Sequence, residues 1–224
     1  MKALILKDKN EAAHKVSNII LTQIKKKPNS VLGLATGKTM IPIYGAIVKA
    51  SKKEKIDWAS ITTFNLDEYS NSNEFHNFMN KHLFSKINIK KANIHFPKNT
   101  SYDQKIRASG GIDLLILGIG RNDHIAFNEP GSSFSSKTRV VSLTKETQIV
   151  NKTKHKKAIT MGISTIIKSR KIILIAFGNE KAEAIYKAVK SPVSETVPAS
   201  ALRKHKNTTF IFDRKAAKLI HNKS

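Results

Sequence analysis

The sequence predicts an α/β fold in which a mostly parallel central sheet is covered by helices on both faces. Seven apolar runs have the length of strands, stretches with helical periodicity lie between most of them, and polar clusters follow several runs. This alternation is typical of parallel sheets, whose strands are joined by helices that shield both faces from water. The apolar runs are residues 2–6, 31–35, 61–66, 112–117, 157–162, 171–177 and 208–212.

Three segments between these runs have the pattern of covering helices. Residues 10–26 place apolar side chains close to a 3.6-residue repeat, and Asn10 is able to cap the first turn. Residues 39–52 and 179–190 show the same pattern, so each is predicted to be a helix that packs on the sheet.

Two further segments are expected to be irregular. Residues 97–111 are polar and end in two glycines, which predicts a long surface loop, and residues 145–156 are predicted to be a mobile segment near the site. The chain has 224 residues and contains no internal repeat or low-complexity linker. We therefore expect a single domain spanning residues 1–224.

The chain is strongly basic, with a formal net charge of +24 and a pI near 10.2. Such charge suggests phosphate-containing partners, but only six of the 40 basic residues are arginine, and the 34 lysines are scattered along the chain. Proteins that read base edges favour the guanidinium group, so we expect no specific nucleic-acid partner. The lysines are interpreted as solvated surface that also attracts anionic metabolites.

Cysteine is absent from the sequence, which excludes disulfides, thiolate metal sites and cysteine nucleophiles. The first residues contain too short an apolar stretch for a signal peptide, and no later run reaches the length of a membrane span. The sequence therefore predicts a cytoplasmic protein without a membrane partner, whose catalysis would depend on His, carboxylates and Lys.

Polar residues follow four of the apolar runs directly. Thr36 follows the second run, Asp67 the third, the loop 118–130 the fourth, and Gly178 the sixth. Because the carboxyl ends of parallel strands share one rim, we expect these four groups to surround a single crevice. No metal motif and no cofactor motif occurs among them.

Two of these groups are candidates for binding phosphate. Residues 33–39 resemble a nucleotide-binding P-loop, but the spacing is one residue short, and Leu32 stands where the first glycine belongs. A glycine turn before a helix still points N–H groups at an anion, although a plain tight turn is the alternative interpretation. Lys38 and Lys181 both fall in predicted first helical turns, where a cation is disfavoured unless an anion is bound.

The other two groups carry candidates for proton transfer. Asp67 is predicted to act as a general base if burial raises its pKa, with a cap for the next helix as the alternative. The loop 118–130 contains Asn122, His124 and Glu129, and its alternative interpretation is a turn with a helix cap. It also begins G-x-G, but Asp123 stands at the third glycine position, so we expect neither NAD nor FAD.

Several stretches together resemble the glucosamine-6-phosphate deaminase family of sugar-phosphate isomerases. The tail after His124, reading IAFNEP, resembles the deaminases more than the related 6-phosphogluconolactonases. The resemblance covers nearly the whole chain in the family's order, in LGLATGKT (32–39), TTFNLDEY (62–69), GIDLLILGIGRNDHIAFNEPGSSFSSKTR (111–139), AITMGIST (157–164), GNEKA (178–182) and PASALRKH (198–205).

The resemblance implies a modified Rossmann-like fold and conversion of glucosamine 6-phosphate and water to fructose 6-phosphate and ammonia, without a cofactor. It implies that Asp67 moves a proton between C2 and C1 of the sugar. It also implies that His124 opens the pyranose ring with Asn122 and Glu129 as its partners. The residues that it implies for phosphate binding are Thr36, Gly37, Lys38, Thr39 and Lys181.

The sequence departs from the family pattern at several places, among them Met40, which replaces a proline. Asp123 replaces a glycine beside His124 and is expected to raise the imidazole pKa, and the segment after Tyr69 is shorter than usual. The segment 148–156 lacks an arginine that typically binds phosphate, which leaves Lys152 and Lys154 as substitutes. These departures keep two alternatives open, a phosphosugar-binding protein with reduced catalysis and a 6-phosphogluconolactonase-like hydrolase. The sequence is compatible with either a monomer or a homo-oligomer.

Overall fold

The computed structural model describes residues 2–221 and has a central sheet of seven parallel strands. The strand order is β1-β10-β9-β6-β2-β3-β5, and every neighbouring pair is parallel. The predicted fold class is therefore confirmed. The strands are β1 (Lys2–Leu6), β2 (Val31–Leu34), β3 (Thr62–Asn65), β5 (Ile94–His95), β6 (Leu114–Leu117), β9 (Ile172–Ala176) and β10 (Thr208–Asp213).

A second, three-stranded sheet consists of β4 (Asp67–Tyr69), β8 (Lys157–Thr160) and β7 (Arg139–Ser142) in the order β4-β8-β7. Both of its pairings are antiparallel. The prediction that residues 157–162 join the parallel sheet is therefore wrong. Lys157 is exposed and Ala158 is buried, as in a strand with one covered face, but periodicity in so short a run does not reveal which sheet it enters.

The predicted helices are present with shifted boundaries. Asp8 caps the first one, in place of Asn10, because its side chain accepts hydrogen bonds from the N–H groups of Asn10 and Glu11. The helices are α1 (Lys9–Lys26), α2 (Met40–Lys53), α3 (Glu74–His82), α4 (Tyr102–Ala108), α5 (Lys145–Asn151), α6 (Ile163–Ile167), α7 (Ala182–Lys190) and α8 (Lys218–His221).

The covering helices lie on both faces of the sheet. Connections between parallel strands are right-handed, so the direction of each crossover sets the face of its helix. The chain moves one way across the sheet through α1 and α2, which pack against each other, and the opposite way through α7. The helices α1 and α2 therefore cover one face, and α7 covers the other.

Both segments that were expected to be irregular contain a helix. Residues 97–111 include α4, where Tyr102 and Ile106 are buried on one side, and residues 145–156 include α5. Each helix has seven residues, so its apolar stripe contains too few positions to stand out in the sequence. The mobility of residues 145–156 stays a prediction.

The centre of the sheet contains β9, β6, β2 and β3 in adjacent positions. All residues of β6 and β9 are buried, and so are all four residues of β2. From β2 the chain continues to one side through β3, whereas from β6 it continues to the other side through β9. Open α/β folds bind ligands at the carboxyl ends of strands where the order reverses in this way, which here is the crevice between β2 and β6.

No helix in the described part of the chain is both long and apolar enough to span a bilayer. Within the same residues, no cluster of three or more His, Asp or Glu side chains is arranged to hold a metal ion.

Candidate active site

The four predicted polar groups lie on one rim, since each follows one of the four adjacent central strands. Two contacts show how closely they approach one another. The Nζ of Lys181, after β9, donates a hydrogen bond of 2.7 Å to the carbonyl of Ile119, after β6. A Cβ placed on Gly118 would lie 3.7 Å from the side chain of Met40, the first residue of α2. These contacts join the segments after β9, β6 and β2, and Asp67 follows the adjacent strand β3.

Asp67 is a buried carboxylate that lies on this rim at the start of β4. Within residues 2–221, no side chain or N–H group hydrogen-bonds to its carboxylate or forms an ion pair with it. Burial, together with the nearby charge of Glu68, raises the pKa of Asp67 to about 7. A carboxylate whose pKa lies near neutral pH can accept and return a proton under physiological conditions.

Two buried tyrosines complete the surroundings of Asp67. Burial raises the pKa of both Tyr44 and Tyr102, and the charge of Asp67 raises each of them further. The Tyr44 hydroxyl donates to the carbonyl of Ala35, and the Tyr102 hydroxyl lies 2.9 Å from the carbonyl of Asn65. Both phenols therefore stay protonated and donate their hydrogen bonds to backbone carbonyls, so neither donates one to Asp67.

The neighbouring Glu68 performs the capping role that was the alternative interpretation of Asp67. Its carboxylate accepts hydrogen bonds from the N–H groups of Phe75 and His76 in the first turn of α3. It also accepts one from the N–H of Tyr69. Asp67 itself caps no helix, which leaves its carboxylate available for chemistry.

His124 lies in the loop after β6, mostly buried, and its orientation is set by Asn122. The Nδ1 of the imidazole lies 2.6 Å from the Oδ1 of Asn122. An amide oxygen only accepts hydrogen bonds, so Nδ1 carries the proton and Nε2 keeps a free lone pair. Burial, and secondarily the charge of Lys181, lower the pKa of His124 to about 4, whereas Glu129 acts in the opposite direction.

The loop around His124 is a compact turn and not a helix cap, because the next helix, α5, begins only at Lys145. The N–H of Gly120 donates to the carbonyl of His124, and a side chain at Gly120 would overlap the imidazole ring. A glycine is thus required where the ring lies against the backbone.

Glu129 and Asp123 do not act on His124 in the way that the sequence predicted. Asn122, and not Glu129, hydrogen-bonds to the ring, and Glu129 acts on its pKa through charge alone. The carboxylate of Asp123 faces Lys187, 3.6 Å away, and does not raise the pKa of His124. The expectation that Asp123 would raise it is therefore wrong, because this side chain turns toward α7. Asp123 has a φ of +70°, as expected for a position where glycine is common.

The predicted phosphate segment 36–39 forms the turn between β2 and α2. Gly37 has a φ of +104°, and Thr39 precedes α2 without a side-chain hydrogen bond to its first turn. Lys38 is exposed, and no acidic side chain within residues 2–221 pairs with it. The arrangement leaves the positive end of α2 on the rim, with one exposed cation in the turn before it.

Lys181 lies one residue before α7. Its ammonium group is partly buried, and burial together with the charge of Arg121 lowers its pKa. The turn that carries it is held by Asp213, whose carboxylate accepts hydrogen bonds from the N–H groups of Gly178 and Ala216. Lys181 therefore enters the site from a fixed backbone.

Lys152 and Lys154 lie beyond the end of α5 and line an open cavity of about 440 Å³. Within the described residues, no hydrogen bond or ion pair joins them to the other predicted site residues. The segment is attached through His155, which hydrogen-bonds to Glu74 at 2.7 Å and stacks on Tyr69 with ring centroids 4.6 Å apart. The structure thus brings the rim residues together but leaves these two lysines at the periphery.

Sequence reasoning missed the residues that hold the site in place. Arg139 donates to the Oδ1 of buried Asn128, whose amide donates to the carbonyls of Ile125 and Met161 and so fixes the His124 loop to the small sheet. Asn65 is fully buried near Asp67, and its amide has no hydrogen-bond partner within the described residues. An amide side chain at the end of a strand-length run was the one available signal for Asn65.

Comparisons with known proteins agree with the motifs. Residues 7–211 match the family model described as glucosamine-6-phosphate isomerases/6-phosphogluconolactonase. A glucosamine-6-phosphate deaminase of Thermoanaerobacter sp. (strain X514) is 43% identical over 241 residues, covering 98% of this chain and 95% of that protein. Another glucosamine-6-phosphate deaminase, from Clostridium botulinum (strain Alaska E43 / Type E3), is 43% identical over 244 residues. That alignment covers 100% of this chain and 98% of the relative.

Solved structures show the same relationship. A structure described as a monomeric glucosamine-6-phosphate deaminase superposes with a TM-score of 0.94 at 38% identity, covering 98% of this chain and 100% of that chain. A 6-phosphogluconolactonase from Trypanosoma cruzi superposes with a TM-score of 0.77 at 18% identity, covering 97% of this chain and 96% of its own. At that identity, the second match shows a shared fold alone.

Proposed function

The chain belongs to the family of glucosamine-6-phosphate isomerases and 6-phosphogluconolactonases, and from that premise we propose that it converts glucosamine 6-phosphate and water to fructose 6-phosphate and ammonia. One observation carries the proposal. Asp67, a buried carboxylate with no partner and a pKa of about 7, lies on the same rim as a neutral histidine with a free Nε2. The similarity to deaminases over the full chain selects this reaction within the family.

Asp67 is the proposed general base. In the open-chain sugar, it takes the proton from C2, which lies beside the C1 aldehyde, to give an enolamine, and it returns the proton to C1. The C2 amine then becomes an iminium group, to which water adds, and ammonia leaves as the ketone forms. Both carbons are adjacent, so one carboxylate with a near-neutral pKa serves both transfers.

His124 is the proposed group that opens the ring. Its free Nε2 accepts the proton of the anomeric hydroxyl and delivers it to the ring oxygen, which breaks the bond between C1 and that oxygen. The hydrogen bond from Nδ1 to Asn122 keeps the lone pair on Nε2, and the carboxylate of Glu129 favours the transient imidazolium form.

The proposed phosphate site consists of the turn before α2 and the ammonium group of Lys181. Thr36, Gly37, Lys38 and Thr39 supply N–H groups, hydroxyls and a cation at the positive end of α2. Lys152 and Lys154 are proposed to assist from the segment after α5. Binding at the phosphate end holds the reacting carbons against Asp67.

An assay of ammonia release tests the proposal and separates it from the two alternatives. We expect ammonia and fructose 6-phosphate in equal amounts from glucosamine 6-phosphate. A phosphosugar-binding protein would bind this substrate without releasing ammonia, and a lactonase would hydrolyse 6-phosphogluconolactone instead. Either of these results contradicts the proposal.

The remaining features are also proposals. The similarity to a deaminase described as monomeric supports a monomer over a homo-oligomer, which sedimentation of the purified chain would decide. We further propose that residues 1–224 form one domain and that the enzyme acts in the cytoplasm on phosphosugar, without a specific nucleic-acid partner.

A further inference from the structure

A separate cavity of about 300 Å³ lies between α4, the Gly110–Gly111 turn and the end of α6. Ile112, which lines it, precedes β6, so the cavity is at the amino end of that strand. The crevice with Asp67 and His124 is at the carboxyl end of the same sheet. The two sites are therefore on opposite sides of the molecule.

Three cationic side chains line this cavity, those of Arg107, Lys137 and Lys168. Within residues 2–221, none of the three forms an ion pair or a side-chain hydrogen bond. They come from α4, from the segment before β7 and from the residue after α6, so the fold gathers them from distant parts of the chain. Like charges in one cavity repel each other unless an anion compensates them.

The single carboxylate in the cavity lining, Asp103, does not supply that compensation. It accepts hydrogen bonds from the N–H and hydroxyl of Thr138, at 3.1 and 2.5 Å, and from the hydroxyl of Thr165 at 3.0 Å. Its acceptor positions face these neutral donors and not the cations. The lining is thus net positive, and its one carboxylate forms no ion pair with the three cations.

A buried polar group in the same lining still has hydrogen-bonding capacity. Ser169 is 2% exposed, and its Oγ has no hydrogen-bond partner among the described residues. Buried hydroxyls in folded proteins are nearly always paired, so this one keeps unused hydrogen-bonding capacity beside the cavity. Ile106 and Ile112 give the cavity an apolar wall, as small-molecule sites usually have.

We propose that this cavity is a second anion site, which binds the phosphate group of a small phosphomonoester. A dianion matches three cations better than a single carboxylate does, and phosphate oxygens can accept hydrogen bonds from Lys and Arg together. The volume lies at the lower end of the range for small-molecule sites. The inference does not depend on the reaction proposed for the Asp67 crevice.

Amide NMR of the full-length chain, titrated with inorganic phosphate, tests the proposal. We expect the N–H signals of Gly110, Gly111 and Ser169 to shift in a saturable way, and sodium chloride at the same ionic strength not to reproduce the shift. Signals of the turn at Gly37 report separately on the other crevice. If the three cavity amides stay unmoved by phosphate, or move equally with chloride, the proposal is overturned.

The double variant Lys137→Gln and Lys168→Gln removes two exposed cations of the cavity. We expect the apparent phosphate affinity at the cavity amides to fall roughly tenfold or more, as lost charge-assisted hydrogen bonds predict. The matched control, Lys9→Gln and Lys15→Gln on α1, removes the same charge away from the cavity and is expected to keep wild-type affinity there. Equal weakening in both double variants would show that total charge, and not this cavity, attracts phosphate.

Discussion

Two buried aspartates at opposite ends of the central sheet have opposite electrostatic environments. Asp113 precedes β6 at the amino end, and Asp67 follows β3 at the carboxyl end. They are 6% and 8% exposed, respectively, so burial alone does not distinguish them. The difference lies in their partners.

Asp113 is surrounded by donors. It pairs with Lys27 at 2.8 Å and with Arg170 at 2.7 Å, and it accepts the N–H of Val31. Burial acts to raise its pKa, but the hydrogen bonds from Lys27 and Val31 and the charges of both cations hold the pKa below its usual value. Asp67 has no such partner, and its pKa rises to about 7. A buried carboxylate with satisfied acceptors stabilises the fold, whereas an unsatisfied one is available for proton transfer.

The largest expected effect is on turnover. Asp67→Asn removes the base but keeps the shape, so we expect kcat for ammonia release to fall roughly 10²–10⁴-fold. Asp113→Asn is the matched control and is expected to keep kcat near the wild-type value, because its side chain is at the other end of the sheet. Equal losses in the two variants would remove the distinction between the two aspartates.

The same two variants are expected to change stability with opposite signs. Ionisation of Asp67 opposes folding as the pH rises from about 4 to about 7, since its pKa is raised in the native state. Asp67→Asn should therefore increase the free energy of unfolding by about 2–4 kcal/mol at about pH 8, because one pKa unit corresponds to about 1.4 kcal/mol.

Asp113 has the reverse linkage. Its lowered pKa contributes stability above about pH 4, which is lost as the pH falls further. Asp113→Asn should decrease the free energy of unfolding by about 1–3 kcal/mol at neutral pH, because Lys27, Arg170 and the N–H of Val31 lose a charged acceptor. Urea denaturation of both variants at two pH values measures these signs, and destabilisation by Asp67→Asn at high pH would contradict the account.

The pH dependence of kcat/KM sharpens the comparison further. Because Asp67 must be ionised in the free enzyme, kcat/KM should fall about tenfold for each pH unit below 7. His124, with a pKa of about 4, stays neutral through this range. Its protonation should therefore cause no further decrease in kcat/KM above about pH 5. Asp113→Asn should leave the limb in place, and a wild-type profile that is flat down to about pH 5 would exclude Asp67 as the base.

The smallest expected effect concerns the peripheral lysines. The double variant Lys152→Gln and Lys154→Gln should raise KM severalfold and leave kcat unchanged, since a solvated point charge contributes on the order of 1 kcal/mol or less. The control Lys9→Gln and Lys15→Gln removes the same charge elsewhere. An unchanged KM in the first variant would show that phosphate is held by the rim alone.

The rim was predictable from the sequence because it depends on strand order and local motifs. Parallel strands bring Thr36, Asp67, His124 and Lys181 to one edge, and each lies in the polar segment that follows an apolar run. The contacts among side chains were not predictable. That Glu68 caps α3 while Asp67 is left unpaired depends on where the chain turns after Tyr69, which no local pattern specifies.

The small sheet was also beyond prediction. Its strands have three or four residues each and come from distant parts of the chain, so their pairing depends on tertiary packing and not on periodicity. The same holds for Asp123, whose turn toward Lys187 depends on the position of α7. The sequence therefore predicted which strand ends share the rim, but not how the charges of their side chains are balanced.

Proton exchange at C1 of fructose 6-phosphate in D₂O tests the central claim most directly. With ammonium ions added, fructose 6-phosphate re-forms the C2 iminium, and the base that returns a proton to C1 in the forward reaction must remove one from this iminium in reverse. We predict that the wild type and Asp113→Asn incorporate deuterium at C1, followed by NMR, and that Asp67→Asn does not. Undiminished incorporation by Asp67→Asn would contradict the account.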